Sequence, residues 1–473
     1  MKLGKFFLAA NLTLASVSAS AGSLYLPLKL SPEIEAHVER LMVLADMPII
    51  KRPIAIAQVQ EALDRVGNRD PQLVSAVSHY IDRYSHQSNL THASFTTSRS
   101  TGADVILPNE RGYSTDNSYQ FSAAGYWVVN DFVALNLGAN VWSSDSLKDE
   151  FLDGSFISFG WDELQVDVGW RPHWLSPFQE NSVLVSTQAA SLPGVTISNV
   201  EPFDYLGFSY ELFLAQLSES DLIETRANAR ENATGNPKLF GLHLGFNPFK
   251  GFAIGFNRLV QFGGADRSES PSDLLDAFIN PQANDNVGRE GNDFGNQLTA
   301  VNTRYTFQDP IPFSVYLEYA GEDTSLTNVF SLGNTALSAG IHLPKLFEHF
   351  DFSYEFSDWQ NGWYVNANYG DGLTNYDTVI GLWAATQRDL QFALPGNAHW
   401  AQLIWDGGES STISVSYRQV EHDNNANTDF ANAEYFEVQY SRAIGRRIGG
   451  ITLRTGSDAW DENFTQISGF IRW

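Results

Sequence analysis

From about residue 92 to Trp473 the sequence alternates apolar and polar residues, and no other feature restricts its fold as strongly. In segment 350–357, aromatic residues at every second position alternate with Asp, Ser or Glu. Segments 313–319 and 413–418 follow the same rule. A period of two places successive side chains on opposite faces of a β-strand. The chain is therefore predicted to be mainly antiparallel β, with one apolar, aromatic face and one polar face.

The connections between the predicted strands alternate between short and long. Eight short turns separate nine longer connections, which implies eighteen strands. The longer connections span about residues 102–116, 144–153, 171–193, 218–235, 264–296, 322–334, 359–396, 421–432 and 457–463. A soluble β-sandwich also alternates, but it lacks this short and long rhythm. An even strand number, loops gathered at one end and a terminal Trp473 on an amphipathic strand predict an all-β, transmembrane, outer-membrane β-barrel over residues 89–473.

The N-terminus predicts export followed by a small helical part. Lys2 and Lys5 precede an apolar stretch, and a small-residue cleavage site ends at Ala21, so residues 1–21 read as a signal peptide. Residues 22–88 then show helical spacing, with starts at Ser31-Pro32 and Asp70-Pro71. We expect a small periplasmic α-helical bundle. Because three short helices bury little surface, it should pack against something larger.

Composition excludes several classes of function. The chain has no cysteine, which excludes a disulfide scaffold, a thiolate metal site and a Cys nucleophile. A net charge of −26 argues against a nucleic-acid partner. Neither a nucleophile elbow nor a His-Glu-x-x-His motif is present, so no enzyme activity and no cofactor are predicted. Acidic residues in segments 145–153 and 266–276 could suit calcium, but they do not match the EF-hand spacing, so no metal site is assigned.

Two of the predicted loops combine aromatic rings with short polar side chains. Rings can stack on the C–H faces of sugars, while amides, carboxylates and guanidinium groups bond to hydroxyls. The candidate polysaccharide-binding residues are Arg171, Trp174, Trp359, Trp363, Tyr364, Asn366, Tyr369, Asp371, Tyr376, Trp383 and Arg388. The same rings could instead pack the loops against one another. We also expect some of the longest loops to fold inward and occlude the mouth of the barrel.

Four short motifs follow one another along the chain: Gly169 to Trp174, Arg258 to Gly264, Gly295 to Leu298 and Tyr319 to Asp323. This ordered set resembles the capsule assembly protein Wzi family. The motif positions singled out are Arg258, Gln261, Gly263, Gly264, Asn296, Gln297, Glu322 and Asp323. Phe262 departs from the pattern, where Trp is expected, as does Leu175-Ser176-Pro177. The resemblance implies an eighteen-stranded outer-membrane barrel that binds capsular polysaccharide at the cell surface.

Two functions remain open at this point. The first is a lectin-like barrel that attaches and organises capsule, with polysaccharide, outer-membrane lipid and the barrel-assembly machinery as partners, and with a monomeric state. The second is a porin, because polar residues are predicted to line the lumen. These residues are Asp167, Glu211, Arg304, Glu318, Asp351, Glu355 and Arg418. The net charge of −26 would favour cations in a pore and oppose an acidic polymer, unless divalent ions or local Arg residues intervene.

Overall fold

The structure is a computed structural model. It describes residues 24–28, 30–143, 150–225, 231–279, 294–325, 328–347, 349–360, 363–385, 394–407, 411–425 and 428–473. The predicted signal peptide and Arg388 lie outside these ranges.

One closed antiparallel sheet dominates the described chain. It contains 19 segments, of which Glu150–Phe151 is a two-residue piece beside the third strand, leaving eighteen barrel strands. These strands, β1 to β18, are Ser88–Gly102, Tyr119–Asn130, Val133–Trp142, Phe156–Trp161, Leu164–Gly169, Gly194–Ser198, Ser209–Gln216, Lys238–Phe249, Phe252–Phe262, Gly295–Phe307, Phe313–Ser325, Asn328–Leu346, Phe350–Trp359, Gly396–Asp406, Ser411–His422, Ala433–Ile444, Arg447–Ser457 and Asn463–Arg472. β1 pairs with both β2 and β18, so the barrel has no free edge. The predicted fold class and strand number are confirmed.

The alternation in the sequence places polar side chains inside the barrel and apolar side chains on its outer wall. On β9 and β10, Phe256 and Val301 are paired and exposed on the outer wall. Their neighbours Asn257 and Asn302 are fully buried inside. Because a strand turns each successive side chain to the other face, this pattern gives an apolar outer wall and a polar lumen.

Connections of the two kinds lie at opposite ends, which we call the short-turn end and the long-loop end. The prediction of a long loop over 322–334 is wrong. β11 and β12 continue through it, with Asp323 opposite Gly333 and Thr324 opposite Leu332. The polar composition of this stretch resembles a loop, but its backbone groups are paired in a hairpin.

Helices α1 (Pro32–Leu44), α2 (Ile56–Val66) and α3 (Pro71–Ile81) close the short-turn end. The Asp70 carboxylate caps α3 by accepting from the Leu73 N–H at 3.2 Å. The apolar faces of the helices form one core that includes Tyr126 and Ala134 of the barrel. Gln308, just after β10, donates to the Val43 carbonyl at 2.6 Å, which ties α1 to the wall. No helix among the described residues is long and apolar enough to cross a membrane.

Candidate functional site

Residues 170–193, which we call the inner loop, fold into the lumen. Glu355 of β13 accepts hydrogen bonds from the backbone N–H groups of Gln179, Glu180 and Asn181 at 2.6, 3.0 and 2.8 Å. Glu318 of β11 accepts from the Ser176 hydroxyl at 2.7 Å. A carboxylate that faces several N–H groups is a strong acceptor inside a protein. The wall therefore holds the inner loop at two points, through main-chain N–H groups at Glu355 and through a side-chain hydroxyl at Glu318.

A buried charged cluster fixes the start of the inner loop. Glu211 of β7 binds Arg171 at 3.0 Å and Lys51 at 3.1 Å, and Arg171 also pairs with Asp167 at 2.8 Å. Burial lowers the pKa of His173, although Glu211 acts in the opposite direction. The Nδ1 of His173 lies 2.7 Å from a carboxylate oxygen of Glu211, so an N–H at that nitrogen can donate to Glu211.

The helical part reaches the same loop from the other end of the barrel. Glu39 of α1 pairs with Arg52 and with Arg304 of β10, the latter at 2.8 Å. Arg52 and Trp174 exchange two backbone hydrogen bonds, of 2.8 and 3.1 Å. Burial opposes ionisation of Glu39, but Arg304 and Arg52 outweigh it and lower its pKa to about 2.

Residues 363–385, which we call the outer loop, lie on the inner loop. The Tyr364 hydroxyl donates to the Val183 carbonyl and accepts from the Leu382 N–H. Trp383 donates through Nε1 to Asn181 Oδ1 at 2.8 Å. The two loops share one buried apolar core. The loops therefore fold inward, as expected, and fill the lumen on the side where they pack.

The structure brings the candidate residues from the sequence together, but most of their side chains are packed in the interior. Trp174, Trp359, Trp363, Tyr364, Tyr369, Trp383, Arg171 and Asn366 are all buried. Among the described candidates, only Asp371 and Tyr376 keep partial exposure. A ring can stack on a sugar only where one of its faces is open. Direct contact between the buried rings and a glycan remains a prediction, and it would require the two loops to separate.

The family-motif residues support the loops and the wall. Gln261 points inward and donates to the Gly372 carbonyl of the outer loop at 3.2 Å. Asn296 donates to Glu322 at 3.2 Å. Gly263 and Gly264 have φ values of 70° and 77°, a region that L residues with side chains rarely adopt. Arg258 and Gln297 face outward, and the Arg258 guanidinium group donates to the Gln297 side-chain oxygen.

The sequence analysis missed an aromatic pair, one exposed and one half-buried, at the rim of the long-loop end. Trp460 is 65% exposed, and its ring meets Phe430 edge-on at 5.7 Å. Phe430 contacts His422 at 5.4 Å, and His422 lies inside the barrel. Phe430 therefore lies on the lumen side of the rim, and Trp460 packs against it. We call Trp460 and Phe430 the rim platform.

Hydrogen bonds hold the rim platform in place. Asp458 Oδ1 accepts from the N–H groups of Trp460 and Glu462 at 2.9 and 3.0 Å. The Asn424 side chain donates to the Phe430 carbonyl and accepts from its N–H, both at 2.8 Å. A Trp surrounded by Asp458, Asp461 and Glu462 in a short connection was the available sequence signal, because such a stretch cannot enter a core. Within the described ranges, no group of three or more His, Asp or Glu residues could hold a metal ion.

A closed barrel with an apolar outer wall, and with a lumen occupied by its own loops, defines a plugged outer-membrane β-barrel. The family model for the capsule assembly protein Wzi matches residues 73–448. The chain therefore belongs to the Wzi family.

The similar proteins include one solved structure and one sequence relative. The Escherichia coli structure described as Wzi, an outer-membrane protein involved in group 1 capsule assembly and a carbohydrate-binding β-barrel, is 14% identical, with a TM-score of 0.70. The match covers 96% of this chain and 99% of that one. An uncharacterized 55.8 kDa protein in the cps region of Klebsiella pneumoniae is 25% identical over 170 residues. That match covers 34% of this chain and spans only 31% of the Klebsiella protein.

Proposed function

We propose that this protein binds capsular or other extracellular polysaccharide at the cell surface and helps to attach and organise the capsule. In this proposal it acts as a lectin-like monomer without catalysis. The long-loop end faces outward, and the helices lie in the periplasm. The E. coli relative, described as carbohydrate-binding, supports the choice of ligand.

The observation that carries the proposal is the packing of both loops inside the lumen. Glu318, Glu355 and Arg418 on the wall direct their charges at the inner loop, the last through Glu180 at 2.5 Å. A wall whose charges are paired with its own loops offers a fixed surface at the mouth, and a fixed surface favours binding because little ordering remains to be done.

The rim platform is the proposed contact with sugar. Trp460 is 65% exposed, Asp458, Asp461 and Glu462 belong to the same connection, and Asn424 bonds to Phe430, so carboxylates and an amide lie near the rim platform. Carboxylates accept hydrogen bonds from sugar hydroxyls but repel carboxylated sugars. The platform therefore favours neutral units of a polymer, or acidic units bridged by divalent ions.

Passage of small solutes is the second candidate function. A cavity of 210 Å³ remains beside the plug, against the wall that includes β1, β2, β17 and β18. Gln439, Thr452, Arg454, Ser468 and Arg472 give it a polar lining. A connected polar space in a barrel can carry water and ions.

Titration calorimetry separates the two functions. The folded barrel would be titrated with polysaccharide from its own host and with an unrelated glycan. Saturable heat with the host polymer alone supports the lectin-like function. No heat from a folded sample, together with stable conductance in planar bilayers, would overturn it in favour of the pore.

A further inference from the structure

The long connection between β9 and β10 turns outward, whereas the inner loop and the outer loop fold into the lumen. Its helix α4 (Pro271–Ile279) packs on the outer wall. Ala277 is buried with Val260 and Phe262 of β9, and the Phe278 ring meets Phe240 of β8 edge-on at 5.6 Å. On β9, Asn257 bonds to the plug at the Leu175 carbonyl and faces inward. Because Asn257 faces inward, the even-numbered residues Val260 and Phe262 face outward, and α4 lies outside the barrel.

Arg258 attaches α4 to this wall. Its guanidinium group donates to the carbonyls of Ala277 and Phe278 at 2.9 and 3.0 Å, and it lies 4.3 Å from the centre of the Phe278 ring. These carbonyls belong to the last turn of the helix, where a positive charge also meets the negative end of the helix dipole. The position of α4 is thus set by the barrel rather than by the loop alone.

The helix presents three different sides. Leu274, Ala277 and Phe278 face the barrel. Leu275 and Ile279, at 60% and 75% exposure, form a second side next to it. Ser272, Asp273 and Asp276 are exposed on the third. At 3.6 residues per turn, the apolar and acidic sides lie on opposite flanks of the packed face.

We propose that α4 lies in the surface of the membrane, with Leu275 and Ile279 among the lipid chains and its acidic side toward water. The outer wall supplies the argument. Phe256 is an exposed outward residue of β9, and Arg258 lies only two positions further, about 7 Å along the strand. The exposed side of α4 therefore continues the apolar wall that the outer-membrane fold turns to lipid. A helix with separate apolar and charged sides takes this position at a bilayer surface.

Single cysteines test this placement directly, because the natural chain has none. Leu275→Cys and Ile279→Cys would carry the fluorophore NBD in dioleoylphosphatidylcholine vesicles, with and without brominated lipid. Leu317→Cys, at a 54% exposed position on the outer face of β11, is the lipid-facing control. Asp116→Cys, in an exposed loop at the long-loop end, is the water-facing control. Asp276→Cys reports the acidic side of the same helix.

We expect brominated lipid to quench the labels at 275 and 279 nearly as strongly as the label at 317, and to leave those at 276 and 116 bright. Adding Arg258→Ala to Ile279→Cys should reduce the quenching while the barrel stays folded, as shown by its heat-dependent mobility on gels. Labels at 275 and 279 that match the label at 116 would overturn the proposal.

Discussion

The carboxylate of Glu39 in α1 lies 2.8 Å from the guanidinium group of Arg304 in β10, and both side chains are buried. Arg52 pairs with the same carboxylate. One acidic side chain thus joins the helical part, the segment after α1 and the barrel wall. Removing it would leave two buried positive charges facing each other.

Glu39→Gln should lower the free energy of unfolding by about 3 kcal/mol or more, because the buried guanidinium groups lose their counter-charge. Chemical denaturation in detergent micelles would measure the change. Glu61→Gln is the matched control, since the exposed pair of Glu61 with Arg65 on α2 should contribute under about 1 kcal/mol. Equal effects of the two substitutions would contradict the role assigned to Glu39.

The same carboxylate predicts a dependence of stability on acid. The pKa of Glu39 falls from 4.5 to about 2 on folding. Its contribution is therefore complete above pH 4.5 and declines as the pH falls toward about 2, because the unfolded chain takes up the proton first. Unfolding free energies measured across this range should decline more steeply for the natural chain than for Glu39→Gln. Parallel curves would show that Glu39 is not the group responsible.

Glu355→Ala should loosen the inner loop. Three backbone N–H groups would lose their acceptor, at a cost of about 1 to 3 kcal/mol for each one left unpaired. We expect openings in single-channel recordings at a frequency well above that of the natural chain. Glu434→Ala, at an exposed position on β16, serves as the control. Recordings that do not differ would mean that other contacts alone keep the loop in place.

Trp460→Ala should weaken binding of the host polysaccharide about tenfold, the equivalent of 1.4 kcal/mol of lost stacking. Tyr205→Ala removes an aromatic side chain that is 79% exposed at the short-turn end, and it should leave the affinity unchanged. Calorimetry on both variants gives the comparison. If both bind like the natural chain, the rim platform is not the sugar contact.

Asp458→Ala should also weaken binding, by less than Trp460→Ala, because it frees the turn that carries Trp460. Asp458→Asn retains an acceptor oxygen and should bind nearly as the natural chain does. The tryptophan emission of the two variants would report any change in the setting of the ring. A loss of affinity in Asp458→Asn equal to that in Asp458→Ala would point instead to a charge effect.

The barrel was predictable because the alternation of residues within each strand shows which face is apolar and which is polar. Phe256 and Asn257 differ in polarity at adjacent positions, and a strand can satisfy both only by turning one outward and one inward. The prediction of a loop over 322–334 was wrong because composition does not show whether backbone groups are paired between strands. Polar residues on a hairpin beyond the lipid-facing band look the same as residues of a loop.

The candidate site was less predictable, because rings and amides suit both sugar binding and packing. Glu355 lies 176 positions beyond Gln179, and neither segment carries a local sequence signal that predicts their contact. Trp383 and Asn181 are likewise distant in the chain, yet they are hydrogen-bonded in the core of the plug. The burial of the loop aromatics follows from such contacts. Only Trp460, isolated among acids, carried a local sign of exposure.

The two backbone hydrogen bonds between Arg52 and Trp174 have a mechanical consequence. The segment that contains Arg52 comes from the helices, and the segment that contains Trp174 comes from the long-loop end. The two segments meet inside the barrel. If a polymer is bound at the loops, as proposed, a pull on it would be carried through Trp174 and Arg52 to Glu39 and the helices, as well as into the wall. The contact would then transmit tension from the long-loop end of the barrel to the short-turn end.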